Sequence, residues 1–145
     1  MATILLTEKT PLGLAAGAVD HLLREALRLL GADHEVSVTA VGEAEMAELN
    51  RSYRGLEGAT DVLSFALNEG EGGGVGDYWL GDIVVCPAVA ARHAHEAKRP
   101  VAEEVRWVLI HGLLHLLGYD HERDAAAARL MREKEQWLLH QITTA

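Results

Sequence analysis

The chain of 145 residues has one cysteine, Cys86, one phenylalanine and three prolines. A single cysteine excludes an internal disulfide, and the simplest setting for such a chain is the cytoplasm. With aromatic residues at 5%, the 49% of apolar side chains is mostly Ala, Leu and Val, so the core has to be aliphatic. No apolar run approaches the ~20 residues of a membrane span, which argues against a membrane partner. Cations are also scarce: 13 Lys and Arg stand against 22 Asp and Glu, a net charge of −9. A protein that coats nucleic acid through phosphate contacts should carry a basic surface. Any nucleic-acid role here must therefore be local, a small basic patch or a metal on a chain that otherwise repels phosphate.

What is present reads as a single domain over residues 1–145, a length that supports a real core. Residues 2–7 read as a strand. Residues 11–30 read as one amphipathic helix rather than a cleaved leader, because Leu22, Leu23, Ala26, Leu27 and Leu30 continue its apolar face. Residues 35–41 alternate polar and apolar side chains and form a second strand. Residues 43–54 form a helix that stops at Gly55, and residues 60–67 are rich in strand formers. Gly70, Gly72, Gly73, Gly74 and Gly76 make a loose loop that lacks the Gly-Lys-Ser/Thr of a P-loop. Residues 79–86 form a fourth strand, and Pro87 starts a helix that runs to about residue 98. Pro100 opens the next helix, with Glu103 and Glu104 in a first turn that favours anions. Its second half is apolar almost all round, which predicts the buried central helix. Residues 122–142 read as a last helix. About four strands among about five helices, with hairpin-like and crossover connections, predict an α+β fold with one mixed sheet.

The chemistry concentrates in "HGLLHLLGYDH", residues 111–121. His111 and His115 are four apart on a helix, so they share a face. Gly118 is placed to end that helix in a left-handed conformation, letting the chain turn back and bring His121 to the same point. Two imidazoles on one helical face plus a third from beyond it fit a single Zn²⁺ ion with a fourth position open, the pattern of a catalytic rather than a structural site. The bland alternative, core or capping histidines, would have to bury two neutral imidazoles on a very apolar helix and find partners for both. The spacing matches the zinc-protease motif H-E-x-x-H-x-x-G-x-x-H at every ligand and at the glycine. Its glutamate, the general base of peptide hydrolysis, is replaced by Gly112, so the cage is protease-like and the proton machinery is not.

Three segments together resemble the YbeY family of bacterial endoribonucleases. "HGLLHLLGYDH" resembles the family's H-G-x-L-H-L-x-G-Y-D-H. "LNRSYRGLEGATDVLSF" (49–65) is similar to L-N-x-x-Y-R-G…T-D-V-L-S-F, and "LGDIVVC" (80–86) to L-G-D-I-x-I-x. Ala59 and Ala66 stand where the family commonly has proline. The resemblance implies a single-domain, zincin-like α+β fold, one zinc ion on His111, His115 and His121, and a conserved arginine that falls on Arg54. It further implies cleavage of single-stranded RNA in maturing the 3′ end of small-subunit ribosomal RNA, and a part in ribosome quality control. The partners expected are ribosomal RNA and the small ribosomal subunit or one of its proteins.

Phosphodiester cleavage needs a nucleophile, charge stabilisation on phosphate and a proton for the leaving group. Zinc supplies the first by acidifying water to a pKa of about 7. The planar, always charged guanidinium of Arg54 suits the second. No base is obvious: Asp61, Asp82, Asp120 and Glu122 are candidates for that role, for orienting a ligand imidazole, or for structural caps. His93 and His95 are two apart on a helix, point to different sides and read as surface residues. Arg51, Arg54, Arg92, Lys98, Arg99 and Arg106 are the cations nearest the motifs. A metal-dependent peptidase and a non-catalytic, zinc-stabilised ribosome-assembly factor are the rival readings.

Overall fold

The computed structural model describes residues 2–66 and 79–144. The glycine-rich segment 70–76 lies outside the described residues. The elements follow in the order β1 (Thr3–Glu8), α1 (Ala18–Leu29), β2 (Glu35–Ala40), α2 (Glu43–Arg54), β3 (Val62–Ala66), β4 (Trp79–Val85), α3 (Pro87–Ala97), α4 (Val101–Leu116) and α5 (Ala125–Thr144). The strands form one sheet in the order β1-β2-β4-β3. β1, β2 and β4 run parallel, and β3 is antiparallel to β4. The fold is the α+β arrangement with one mixed sheet expected from the pattern of elements. Among the described residues no helix is long and apolar enough to cross a membrane.

Local chemistry explains the strands. In β2 the period of two buries Val36, Val38 and Ala40 and leaves Glu35, Ser37 and Thr39 partly exposed. β4 lies between two strands and is buried on both faces, so Leu80, Ile83, Val84 and Val85 give a near-continuous apolar run. Ile83 and Val85 enter the main core, while Val84 joins a second cluster with Met46 of α2, Leu63, Cys86 and Val89.

α4 touches α1, α3, α5, β3 and β4. Val105, Val108, Leu109, Ile110, Leu113 and Leu114 of this helix are wholly buried. Burying side chains of this kind contributes roughly 1.5–3 kcal/mol each. Six of them rival the ~5–15 kcal/mol net stability of a whole domain. Whatever α4 carries on its remaining face is therefore held on the most firmly anchored element of the fold.

Two helix starts differ from expectation. α1 begins at Ala18 rather than at residue 11, because Gly13 and Gly17 adopt φ of 78° and 80° and break the helical path. Leu12 still packs into the core from the irregular segment. α5 begins at Ala125 rather than at residue 122, where Asp124 Oδ1 accepts the backbone N–H of Ala127 at 2.7 Å and caps the helix.

Candidate active site

α4 ends in a Schellman turn. The Gly118 N–H donates to the His115 carbonyl at 3.1 Å and the Tyr119 N–H to the Leu114 carbonyl at 3.0 Å. Gly118 takes φ 102°, a value that favours glycine. The reversal returns His121 to the helix face that carries His111 and His115. The three rings form a near-equilateral triangle, with centroids 4.9 Å apart for His111–His115 and 5.0 Å for each pair that includes His121. One nitrogen from each ring lies within 4.8 Å of the others, so the group could hold a metal ion. His115 Nε2 and His121 Nδ1 are 3.1 Å apart. Two nitrogens bound tetrahedrally at about 2.0–2.1 Å would sit roughly 3.3 Å apart, so this edge of the triangle already has nearly the right length. Burial, and then the neighbouring His111 and His121, hold the His115 pKa below its ordinary value, which keeps its ring neutral as a ligand must be.

The residue beside the first histidine serves packing. A Cβ built on Gly112 would meet Ile83 Cγ2 at 2.9 Å, and Ser64 Oγ and Val62 Cγ2 at 3.2 Å. Ser64 Oγ donates to the Gly112 carbonyl at 2.9 Å. Glycine here lets α4 rest directly on β3 and β4, and there is no room for the glutamate of the protease motif.

Arg54, in the last turn of α2, lines a cleft of about 570 Å³ together with Tyr53, Asp61, His111, His115 and His121. Its Nη2 lies 3.6 Å from Glu122 Oε1, which is 3.9 Å from His121 Nε2. Glu122 thus stands between the arginine and the third histidine. A second cleft, of about 880 Å³, opens on the other side of His111 and His121 and is walled by Arg99, Arg106, Trp107 and Arg132. Asp61 borders both.

The remaining candidates separate. Asp82 accepts from Ser37 Oγ at 2.6 Å across β2 and β4, a structural pairing. Asp120 accepts the Glu122 backbone N–H at 2.9 Å and shapes the turn. His93 and His95 are exposed, as expected of surface residues, although His93 Nδ1 lies 3.4 Å from Asp61 Oδ2. Asp61, His93 and Glu104 also bring ligand atoms within 4.8 Å of one another, but the Arg99 guanidinium already sits 2.5 Å from Glu104 Oε1. The cations do not form one patch: Arg51 pairs with Glu48 and Arg92 with Glu43, and Arg54 is in a different cleft from Arg99 and Arg106.

One residue of the site was missed in the sequence. Glu135 of α5 is 3% exposed. Its Oε1 accepts from Trp107 Nε1 at 3.1 Å, and its Oε2 is hydrogen-bonded to His111 Nδ1. The available signal was a carboxylate inside an apolar stripe. Ala127, Met131, Leu138 and Ile142 are all buried, and Glu135 falls on that stripe at helical spacing.

Residues 8–143 match the family model described as Endoribonuclease YbeY. A relative bearing the same description in Anaeromyxobacter sp. (strain Fw109-5) is 49% identical over 105 residues, covering 72% of this chain and 53% of that protein. Another, in Syntrophotalea carbinolica, is 41% identical over 130 residues, with 86% and 87% covered. The solution structure of TM1509 from Thermotoga maritima matches with a TM-score of 0.63 and 31% identity over 98% of this chain and 89% of that one.

Proposed function

The chain belongs to the endoribonuclease YbeY family, enzymes that hydrolyse RNA, and from that premise we propose that it is a zinc-dependent endoribonuclease specific for single strands. Its role on this reading is maturation of the 3′ end of small-subunit ribosomal RNA and ribosome quality control in the cytoplasm. Its partners are ribosomal RNA and the small ribosomal subunit or one of its proteins. The observation that carries the reading is the histidine triangle opening into a cleft that Arg54 also lines.

His111, His115 and His121 would hold the zinc ion. Zinc at such a site supplies Lewis acidity and a water of pKa about 7. Arg54 meets the non-bridging phosphate oxygens, where a forked guanidinium outperforms a point charge. Glu122 Oε1, 3.6 Å from Arg54 Nη2, gives the guanidinium an exposed ion-pair partner at the edge of the cleft. Tyr53, 68% exposed and edge-on to Phe65 with ring centroids 5.1 Å apart, offers an unpaired base a stacking face. A base inside a duplex has no such face to offer, which supports preference for single strands. The packing of Gly112 removes the residue a peptidase of this cage would need.

The test is cleavage of an unstructured RNA by zinc-loaded wild type, Arg54→Lys and Arg54→Ala, each with a chelator control. Loss of one preorganised donor to a charged transition state lowers the rate roughly 10²–10³-fold. The alanine variant should fall by that order with zinc still bound, and the lysine variant should lie between. Undiminished cleavage by Arg54→Ala would refute the assignment.

A further inference from the structure

We infer that Glu135 is the positioning residue of the metal centre, holding the His111 ring so that Nδ1–H donates to its carboxylate and Nε2 is left for the ion. The inference rests on the proposed reading of His111 as a metal ligand. An indole N–H can only donate, so Trp107 fixes Oε1 of Glu135 as an acceptor and orients the carboxylate. Oε2 is then directed at His111 Nδ1. Because a carboxylate oxygen accepts, the ring proton belongs on Nδ1, and the lone pair that a metal requires belongs on Nε2.

Trp107 and His111 are four apart on α4, with ring centroids 5.0 Å apart and planes tilted by 32°. The indole, the carboxylate and the imidazole thus form one stack-and-bond unit between α4 and α5. Burial sharpens the argument. A carboxylate in an apolar stripe is costly unless its oxygens are satisfied, and here both are. Three neutral imidazoles leave a divalent ion its full charge, and Glu135 places a compensating anion one ring away from it.

The experiment compares zinc affinity, read by chelator competition without RNA, for wild type, Glu135→Gln, Glu135→Ala, Trp107→Phe and the exposed-site control Glu133→Gln. Loss of such an outer contact weakens metal binding about 10–100-fold. Glu135→Ala should fall in that range. Glu135→Gln should fall less, because an amide can face only one of its two donors with oxygen. Trp107→Phe should fall least, and Glu133→Gln should match wild type. Nitrogen-15 NMR of the metal-free proteins should find His111 as the Nδ1–H tautomer in wild type and as a mixture in the Glu135 variants, a change that loss of packing alone does not produce. The isosteric glutamine variant decides the matter if the alanine variant fails to fold. Wild-type zinc affinity and an unchanged tautomer in folded Glu135→Gln would overturn the inference alone. A wild-type protein that takes up no zinc would overturn the metal reading and the inference with it.

Discussion

Gly112→Ala is expected to destabilise the protein even though alanine is the better helix former. The new methyl would lie 2.9 Å from Ile83 Cγ2 and 3.2 Å from Val62 Cγ2, against an optimal carbon–carbon separation of about 3.5–4.0 Å. Both neighbours are β-branched and stiff at χ1, and Ile83 is wholly buried in β4, so neither can swing aside freely. Overpacking of this kind costs about 1–3 kcal/mol. The helix-propensity gain of alanine over glycine is about 1 kcal/mol. The difference leaves roughly 1 kcal/mol of net destabilisation, or a Tm lower by ~2–4 °C for a domain of this size. Urea unfolding of wild type, Gly112→Ala, Ile83→Ala and the double variant measures it. In the Ile83→Ala background the nearest clash is gone, and Gly112→Ala should become neutral or stabilising. A single Gly112→Ala variant more stable than wild type, or a double variant whose effects simply add, would refute the packing argument. Gly112→Glu extends the same clash by several atoms and should fold poorly without gaining peptidase activity.

Zinc binding should raise thermal stability in wild type and not in His111→Ala or His115→Ala. An ion at a hundred times its Kd that binds only the folded state contributes about 2.7 kcal/mol, which is roughly 5–10 °C in Tm; equal melts with and without chelator would count against a bound metal. The metal-free protein should also weaken as pH falls below about 6.5, the ordinary histidine value. Burial and the two neighbouring rings lower the folded His115 pKa, so the unfolded chain takes up the proton first and folding loses free energy until the folded pKa is passed. Urea midpoints from pH 7.5 to 5 should fall less in His115→Gln than in wild type, and parallel curves would reject the linkage.

The histidine site was legible because its cause is local. Helical spacing puts His111 and His115 on one face, and Gly118 permits the reversal that returns His121. α4 was legible as the central helix for a similar reason, since its apolar surface runs nearly all round. The start of α1 was not, because the apolar spacing runs back through Leu14 and Leu12 and gives no sign that Gly13 and Gly17 take positive φ. The partner of His111 was hidden for a different reason. Asp120 and Glu122 are near it in sequence, whereas Glu135 reaches it only through the packing of α5 on α4. Periodicity marked Glu135 as facing inward, but a glutamate among alternating charges reads first as a solvated one. The distribution of cations over two clefts is likewise tertiary, and no run of basic residues announces it.

That distribution sets the salt dependence of RNA binding. Each phosphate contact to a single strand contributes about −0.7 to the slope of log K against log salt. The clefts beside the histidines present Arg54 on one side and Arg99, Arg106 and Arg132 on the other. Arg99 is engaged by Glu104 at 2.5 Å, so its share is reduced. Four contacts would give a slope near −3, and three near −2. The chain as a whole carries a net charge of −9, so its surface away from the clefts repels RNA. Added salt screens that repulsion as well as the attraction, which flattens the slope further. Affinity for an unstructured oligonucleotide should therefore fall by no more than roughly fifty-fold between 50 and 200 mM salt, where a protein making eight contacts would lose about a thousand-fold or more. Fluorescence anisotropy with metal-free protein, which avoids cleavage, measures it. Arg54→Ala should make the slope shallower by about one contact. A wild-type slope steeper than about −5 would require a second basic surface, and the two clefts would then not be the path of the RNA.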